Sequence, residues 1–134
     1  MSIKLEVANQ MLLAAINKAE ELEIKVTIAV CDAGGRLIAL SRMDGAIWGA
    51  VFGSQGKAAG AAAFNRPTGL LEPQADTPAL KSIIAAIGQN IILRQGGVPL
   101  ILDGMVVAAC GVGGGTSQQD EECAQAAIDA VTSS

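Results

Sequence analysis

Histidine and tyrosine are absent from the 134 residues, and Trp48, Phe52 and Phe64 are the only aromatic side chains. Without imidazole, neither a Ser-His nor a Cys-His nucleophile pair can be assembled, so acid-base chemistry is left to Lys, Asp, Glu or a thiol. Basic residues are also few: nine Lys and Arg against 13 Asp and Glu give a formal net charge of −4. No basic stripe is available to neutralise phosphates, which excludes nucleic acid as the main partner. Long hydrophobic runs are missing as well. Lys4 and Glu6 interrupt the start of the chain, leaving no apolar signal segment. The apolar stretch Ala46 to Gly56 is rich in glycine and, at about 11 residues, falls short of the roughly 20 that span a bilayer. A cytoplasmic protein with no membrane partner is the expectation. Cys31, Cys110 and Cys123 are odd in number, widely spaced and lack a CxxC pair. That pattern argues against a disulfide framework and against a zinc or other metal site, and for buried free thiols in a reducing compartment.

What is present is aliphatic and small. Half the chain is hydrophobic, 51%, and 16 residues are glycine, so the core has to come from Ile, Leu, Val and Ala brought together by close backbone approach. The length suits one domain over 1–134, which would bury roughly two-thirds of its extended-chain surface. Leu5, Ala8, Met11, Leu12, Ala15, Ile16, Ala19 and Leu22 recur at spacings of three and four, the stripe of an amphipathic helix. KVTIAVCD and RLIALSRM, joined by Asp32-Ala33-Gly34-Gly35, read as a hairpin. After Asp44 a helix is expected from Ala46 to Phe64. Its Gly49, Gly53, Gly56 and Gly60 each cost about 1 kcal/mol relative to Ala, which calls for a packing reason.

Residues 65–75 carry Pro67, Gly69 and Pro73 and read as a loop. Thr77-Pro78 looks like an N-cap and first-turn proline, opening a helix that ends at Gly88. Asn90 to Leu93 reads as a short strand. PLIL and MVVAACGV flank Asp103-Gly104, the strongest hairpin signal in the chain. Thr116 and Gln119 fit a capping box for a last helix from Ser117 to about Val131. Two hairpins imply a largely antiparallel sheet rather than alternating βαβ units.

VCDAGGRLIALSRMDGA, GKAAGAAAF, GGVPLILDG and GVGGGTSQQDEECAQAA stand in the order found in the GlcG/HbpS-like family, which includes the C-terminal domain of PduO-type proteins. The sequence resembles that family over nearly its whole length. The resemblance implies a profilin-like α-β-α sandwich of the α+β kind, with a five-stranded antiparallel sheet and about four helices, and a dimer or a multiple of dimers. Some members bind or degrade haem, and others accompany glycolate or diol metabolism. This chain departs from the pattern in three ways. It has no His or Tyr to ligate haem iron, so no cofactor is expected. Gly113 stands where the family often has serine, and Glu23 where a glycine often ends the first helix.

Five places carry candidate chemistry. Lys57 shares a helical stripe with Ala46, Ala50, Gly53, Ser54, Ala61 and Phe64, a long cation among mostly small residues, either in a cavity or snorkelling to solvent. The family resemblance favours a pocket beside Gly96 and Gly97. Gly113, Gly114 and Gly115 lie between a strand and a helix, where free amides could receive an anion, or where the turn is simply capped and tightly packed. Asp120 sits in that helix's first turn. Arg42 ends a strand and either anchors a ligand or pairs with its surroundings. For catalysis the candidates are Lys57 with Asp120 or Asp32. The expected function is binding of a small anionic metabolite, with a cofactor-independent isomerase, lyase or hydrolase, or haem or corrinoid handling, as alternatives.

Overall fold

The computed structural model describes residues 3–132. Its elements are α1 (Leu5–Glu21), β1 (Thr27–Asp32), β2 (Leu37–Arg42), α2 (Ala50–Phe64), α3 (Pro78–Ile87), β3 (Gly97–Leu102), β4 (Met105–Gly113) and α4 (Ser117–Thr132), with 3-10 turns at Thr68–Leu70 and Glu72–Gln74. The strands form one antiparallel sheet in the order β2-β1-β4-β3.

Period-two alternation sorts each strand between two faces. Ile28, Val30, Val98, Leu100, Cys110 and Val112 face α1 and α4, where Met11, Ala15, Cys123 and Ala127 complete the larger core. Cys31 and Ala109 face the other way, onto Ala58, Ala61 and Ala62 of α2. The result is an α-β-α layering with α2 alone on one side and α3 at the periphery.

Local signals hold where they were strongest. Asp32 Oδ1 accepts from the amides of Gly34 and Arg36 at 2.9 and 3.0 Å, which fixes the first hairpin turn. Asp103 (φ 53°) and Gly104 (φ 79°) take the two positive φ values of a type I′ turn. The capping box at α4 is complete: the Gln119 amide donates to Thr116 Oγ1 at 3.2 Å and the Thr116 amide to Gln119 Oε1 at 3.0 Å. Glu23 does sit in the left-handed region, φ 58°, at a cost of about 1 kcal/mol for a residue with a Cβ.

The sheet has four strands, not five. The segment from Asn90 to Leu93, expected as a strand, is a linker lying on α2. The Ile92 amide donates to the Gly56 carbonyl at 3.0 Å, and the Ile92 and Leu93 side chains occupy the space left by Gly56 and Gly60. An apolar run buried against a helix has no ladder to join. The second helix also begins at Ala50 rather than Ala46, because Gly45 (φ 84°) and the following turn occupy the intervening residues.

Of the four glycines expected to need a packing reason, Gly56 and Gly60 find it in that linker, whereas a Cβ on Gly49 or Gly53 would meet nothing within 4 Å. Gly97 of β3 and Gly111 of β4 are paired residues on the face beneath α2. A Cβ on Gly97 would overlap the backbone carbonyl of Lys57, and one on Gly111 the Ser54 carbonyl and the Ala58 amide. Helix backbone therefore rests directly on sheet backbone, which only glycine permits.

Candidate functional site

That contact places Lys57. Its backbone is pinned over Gly97, and its stem runs past Gly96, whose φ of 134° and whose missing Cβ, which would fall 3.0 Å from Lys57 Cδ, leave the channel for it. The ammonium ends inside the protein. Lys57 Nζ donates to the Val112 carbonyl at 2.9 Å and to Asp120 Oδ2 at 3.0 Å. The two side chains are 11% and 4% exposed, so the pair is buried. Asp120 is held from its other oxygen, Oδ1 accepting from the Gly115 amide at 2.9 Å. Burial pushes the Asp120 carboxyl above its ordinary 3.8, against the opposing pull of the Lys57 charge and the Gly115 amide. Two of the three ammonium hydrogens are used. Alongside, Gln95 Nε2 donates to Glu121 Oε2 at 3.2 Å, next to Gly69.

Lys57, Asp120, Gly96, Gly97 and Gly115 thus come together, and Lys57 has found an acidic partner rather than extending into solvent. The Gly115 amide is taken by the chain's own carboxylate. Gly114 (φ 119°) turns close over Lys25 and Val26, and Gly113 faces Ala50 at 3.4 Å with room for a small side chain. Two candidates lie apart. Arg42 donates to the Ala46 carbonyl at 2.8 and 3.2 Å and borders a separate concavity of about 400 Å³ with Lys25, Ser41 and Asp44. Asp32 is engaged in its hairpin turn, at the opposite end of β1 from Thr27, which pairs with Gly113.

Thr27 was not singled out from the sequence, although it precedes the apolar run Ile28 to Cys31 in its strand. It is paired with both Arg42 and Gly113 across the sheet, and its Oγ1 is buried without a hydrogen-bond partner among the described residues.

Metal and haem ligands are poorly provided. Among the described residues no three His, Cys, Asp or Glu converge as a metal site. All three thiols are free and buried. Burial is the main force raising them, Cys31 to about 12 and Cys123 to about 11, with Cys110 also raised. Met11 is fully enclosed in the core. The chain has no imidazole or phenol to offer haem iron, which leaves thioethers, thiols and lysines as its candidate axial ligands.

An antiparallel sheet layered between helices, with an internal lysine-carboxylate pair, defines a small α+β fold. The chain belongs to the HbpS-like family, described as haem degrading protein HbpS-like, whose model matches residues 3–129. It is 36% identical over 107 residues to protein GlcG of Escherichia coli K12, covering 80% of this chain and 78% of that one. The crystal structure of Klebsiella pneumoniae protein ORFY superposes with a TM-score of 0.89 at 33% identity, over 98% of this chain and 92% of that one. That of the PduOC:haem complex does so with a TM-score of 0.87 at 26% identity, over 98% and 96%. No helix among the described residues is long and apolar enough to cross a membrane.

Proposed function

We propose that the protein is a cytoplasmic, homo-oligomeric binder of a small anionic metabolite, accessory to a catabolic pathway, with Lys57 as its charged contact. The observation that supports this reading is a buried ammonium that spends two of its three hydrogens among the described residues, beside a carboxyl whose burial favours its neutral form. When Asp120 holds a proton, the positive charge of Lys57 is no longer cancelled and can attract an anion. Binding would then be tighter at low pH.

Native mass spectrometry of the purified protein reports oligomer size and any retained ligand together. Calorimetry with acetate, pyruvate and phosphate then tests the site. A charge-assisted hydrogen bond contributes on the order of 1.5–3 kcal/mol, so Lys57→Met should weaken anion binding roughly 10- to 150-fold. A folded variant that binds the same anion as tightly as wild type refutes the assignment.

The raised carboxyl next to a lysine also favours a second reading, a cofactor-independent enzyme in which Asp120 and Lys57 exchange a proton with substrate. Turnover of a retained ligand, abolished by Asp120→Asn while its binding persists, would separate the two.

A further inference from the structure

The concavity beside Arg42 is built differently from the Lys57 site. Two cations, Lys25 and Arg42, and two carboxylates, Glu20 and Asp44, edge a hollow of about 400 Å³. Among the described residues none of the four makes an ion pair, and the side chains of Lys25, Glu20, Asp44 and the neighbouring Ser41 make no hydrogen bond. Opposite charges around one rim are thus held apart instead of neutralising each other.

Local structure keeps them there. Arg42 Nε and Nη2 both donate to the Ala46 carbonyl, at 3.2 and 2.8 Å, which fixes the guanidinium against the turn that follows β2. Two of its five hydrogens are spent in this way. The edge formed by Nη1 and the second Nη2 hydrogen stays open, and that edge grips a carboxylate by two parallel bonds. The Lys25 stem passes Gly45, which takes the left-handed φ of 84° and whose absent Cβ would stand 3.8 Å from Lys25 Cγ. Ser41 is paired with Ile28 across the sheet, so its hydroxyl is on the side that faces α1. Ile16 and Met43, partly buried and packed against the main core, give the hollow an apolar floor. Glu20 stands in the last turn of α1, where the partial negative charge of the terminal carbonyls adds to its attraction for a cation.

We propose that this concavity binds a small zwitterion, a molecule with one carboxylate, one ammonium and a short apolar body, such as an aliphatic amino acid. The charge balance carries the choice. A plain anion drawn to Lys25 and Arg42 would lie against two carboxylates, and a plain cation drawn to Glu20 and Asp44 against two cations. A ligand bearing both signs meets a partner for each. Its carboxylate would take the open guanidinium edge, Lys25 and the Ser41 hydroxyl. Its ammonium would face Glu20 and Asp44, with the body on Ile16 and Met43. The volume suits such an occupant, since small-molecule sites run from roughly 300 to 1,000 Å³. The hollow shares no residue with the Lys57 site, so the two can be tested apart.

Calorimetric titration of the full chain with L-leucine and ε-aminocaproate tests zwitterions of short and long span, and isocaproate and isoamylamine each present leucine with one charge removed. At least one zwitterion should bind, and each single-charge analogue should bind roughly 10-fold or more weakly than leucine where leucine is the tighter zwitterion. Lys25→Gln and Glu20→Gln, at exposed side chains without partners, should fold normally and weaken zwitterion binding by a similar factor. Lys57→Met should leave it unchanged. Binding of neither zwitterion below about 10 mM, or isocaproate binding as tightly as the better zwitterion, overturns the proposal. So does a zwitterion affinity that survives both Lys25→Gln and Glu20→Gln, or one lost only in Lys57→Met, which would assign the ligand to the other site.

Discussion

Adding one methyl group at Gly111 should damage this fold more than most core truncations of its small residues. Gly111 lies in the middle of the sheet, paired with Ala29 on one side and Gly97 on the other, and its Cα faces the Ser54 carbonyl and Ala58 amide of α2. A Cβ there would come well inside 3.0 Å, closer than real Cβ atoms approach, and the obstacles are backbone atoms that cannot swivel aside. Relief requires α2 to lift by about 1 Å, a gap that forfeits a quarter to a half of the dispersion energy of each contact it opens. Nine residues of α2 are buried, so the loss spreads along the helix. About 3 kcal/mol, the upper end for overpacking, is the expected cost of Gly111→Ala. For a chain of this size that lowers Tm by about 10–12 °C.

Gly113, two residues along the same strand and on the same face, supplies the control. Its Cβ would stand 3.4 Å from Ala50, an ordinary contact. A serine there would face the same side as its cross-strand partner Thr27, whose hydroxyl has no partner. Gly113→Ser should therefore be neutral or stabilise by up to about 1 kcal/mol. Thermal and urea melts followed by circular dichroism read both variants. If Gly111→Ala costs no more than Gly113→Ser, the backbone-on-backbone account of the α2 layer is wrong.

Lys57→Met leaves the Asp120 carboxylate buried without its counter-charge and should destabilise by about 3 kcal/mol at pH 7. The Asp120 carboxyl is raised in the folded state, so its contribution is fully present below the unfolded value of 3.8 and is lost as pH rises through the folded value. The Lys57→Met deficit should accordingly shrink on acidification, and a deficit in urea melts that is constant with pH would contradict the pairing. Native protein at pH 8 should be almost inert to a thiol reagent such as DTNB, with three thiols reacting after unfolding in guanidinium, since all three are buried and raised. Haemin should produce no histidine-ligated absorption spectrum, there being no imidazole in the chain; a sharp low-spin one-to-one complex would show that a thiol, thioether or amine serves instead.

Features written in neighbouring residues were legible in advance. The capping pair Thr116 and Gln119, the Asp103-Gly104 turn and the Thr77-Pro78 helix start each depend on a few consecutive residues, and each forms as its chemistry requires. Ile91-Ile92-Leu93 misled because a short apolar run looks the same whether a sheet or a helix covers it. Its true partners, Gly56 and Gly60, stand more than thirty residues away. The site shows the same division. A long cation among small residues left Lys57 either enclosed or snorkelling to solvent, and only the family resemblance favoured a place beside Gly96 and Gly97. Which carboxylate it meets depends on how β4 delivers α4, so Asp120 and Asp32 could be ranked only once the strand ends were fixed in space. Thr27 left no local trace, since an unpaired hydroxyl is a property of the surroundings.

The contact between Lys57 and Gly97 also decides how the buried pair can be reached. A residue whose backbone rests on another strand's Cα has no freedom to swing, so the lysine end of the pair is fixed to the sheet. Asp120 is anchored differently, in the first turn of α4, where Thr116 and Gln119 hold the helix start by two hydrogen bonds near its edge. Helix ends open far more readily than packed helix-sheet layers. Exchange of solvent or protons at the ammonium should therefore proceed from the α4 side, and should quicken in Thr116→Ala, which removes one of the two hydrogen bonds that hold that first turn.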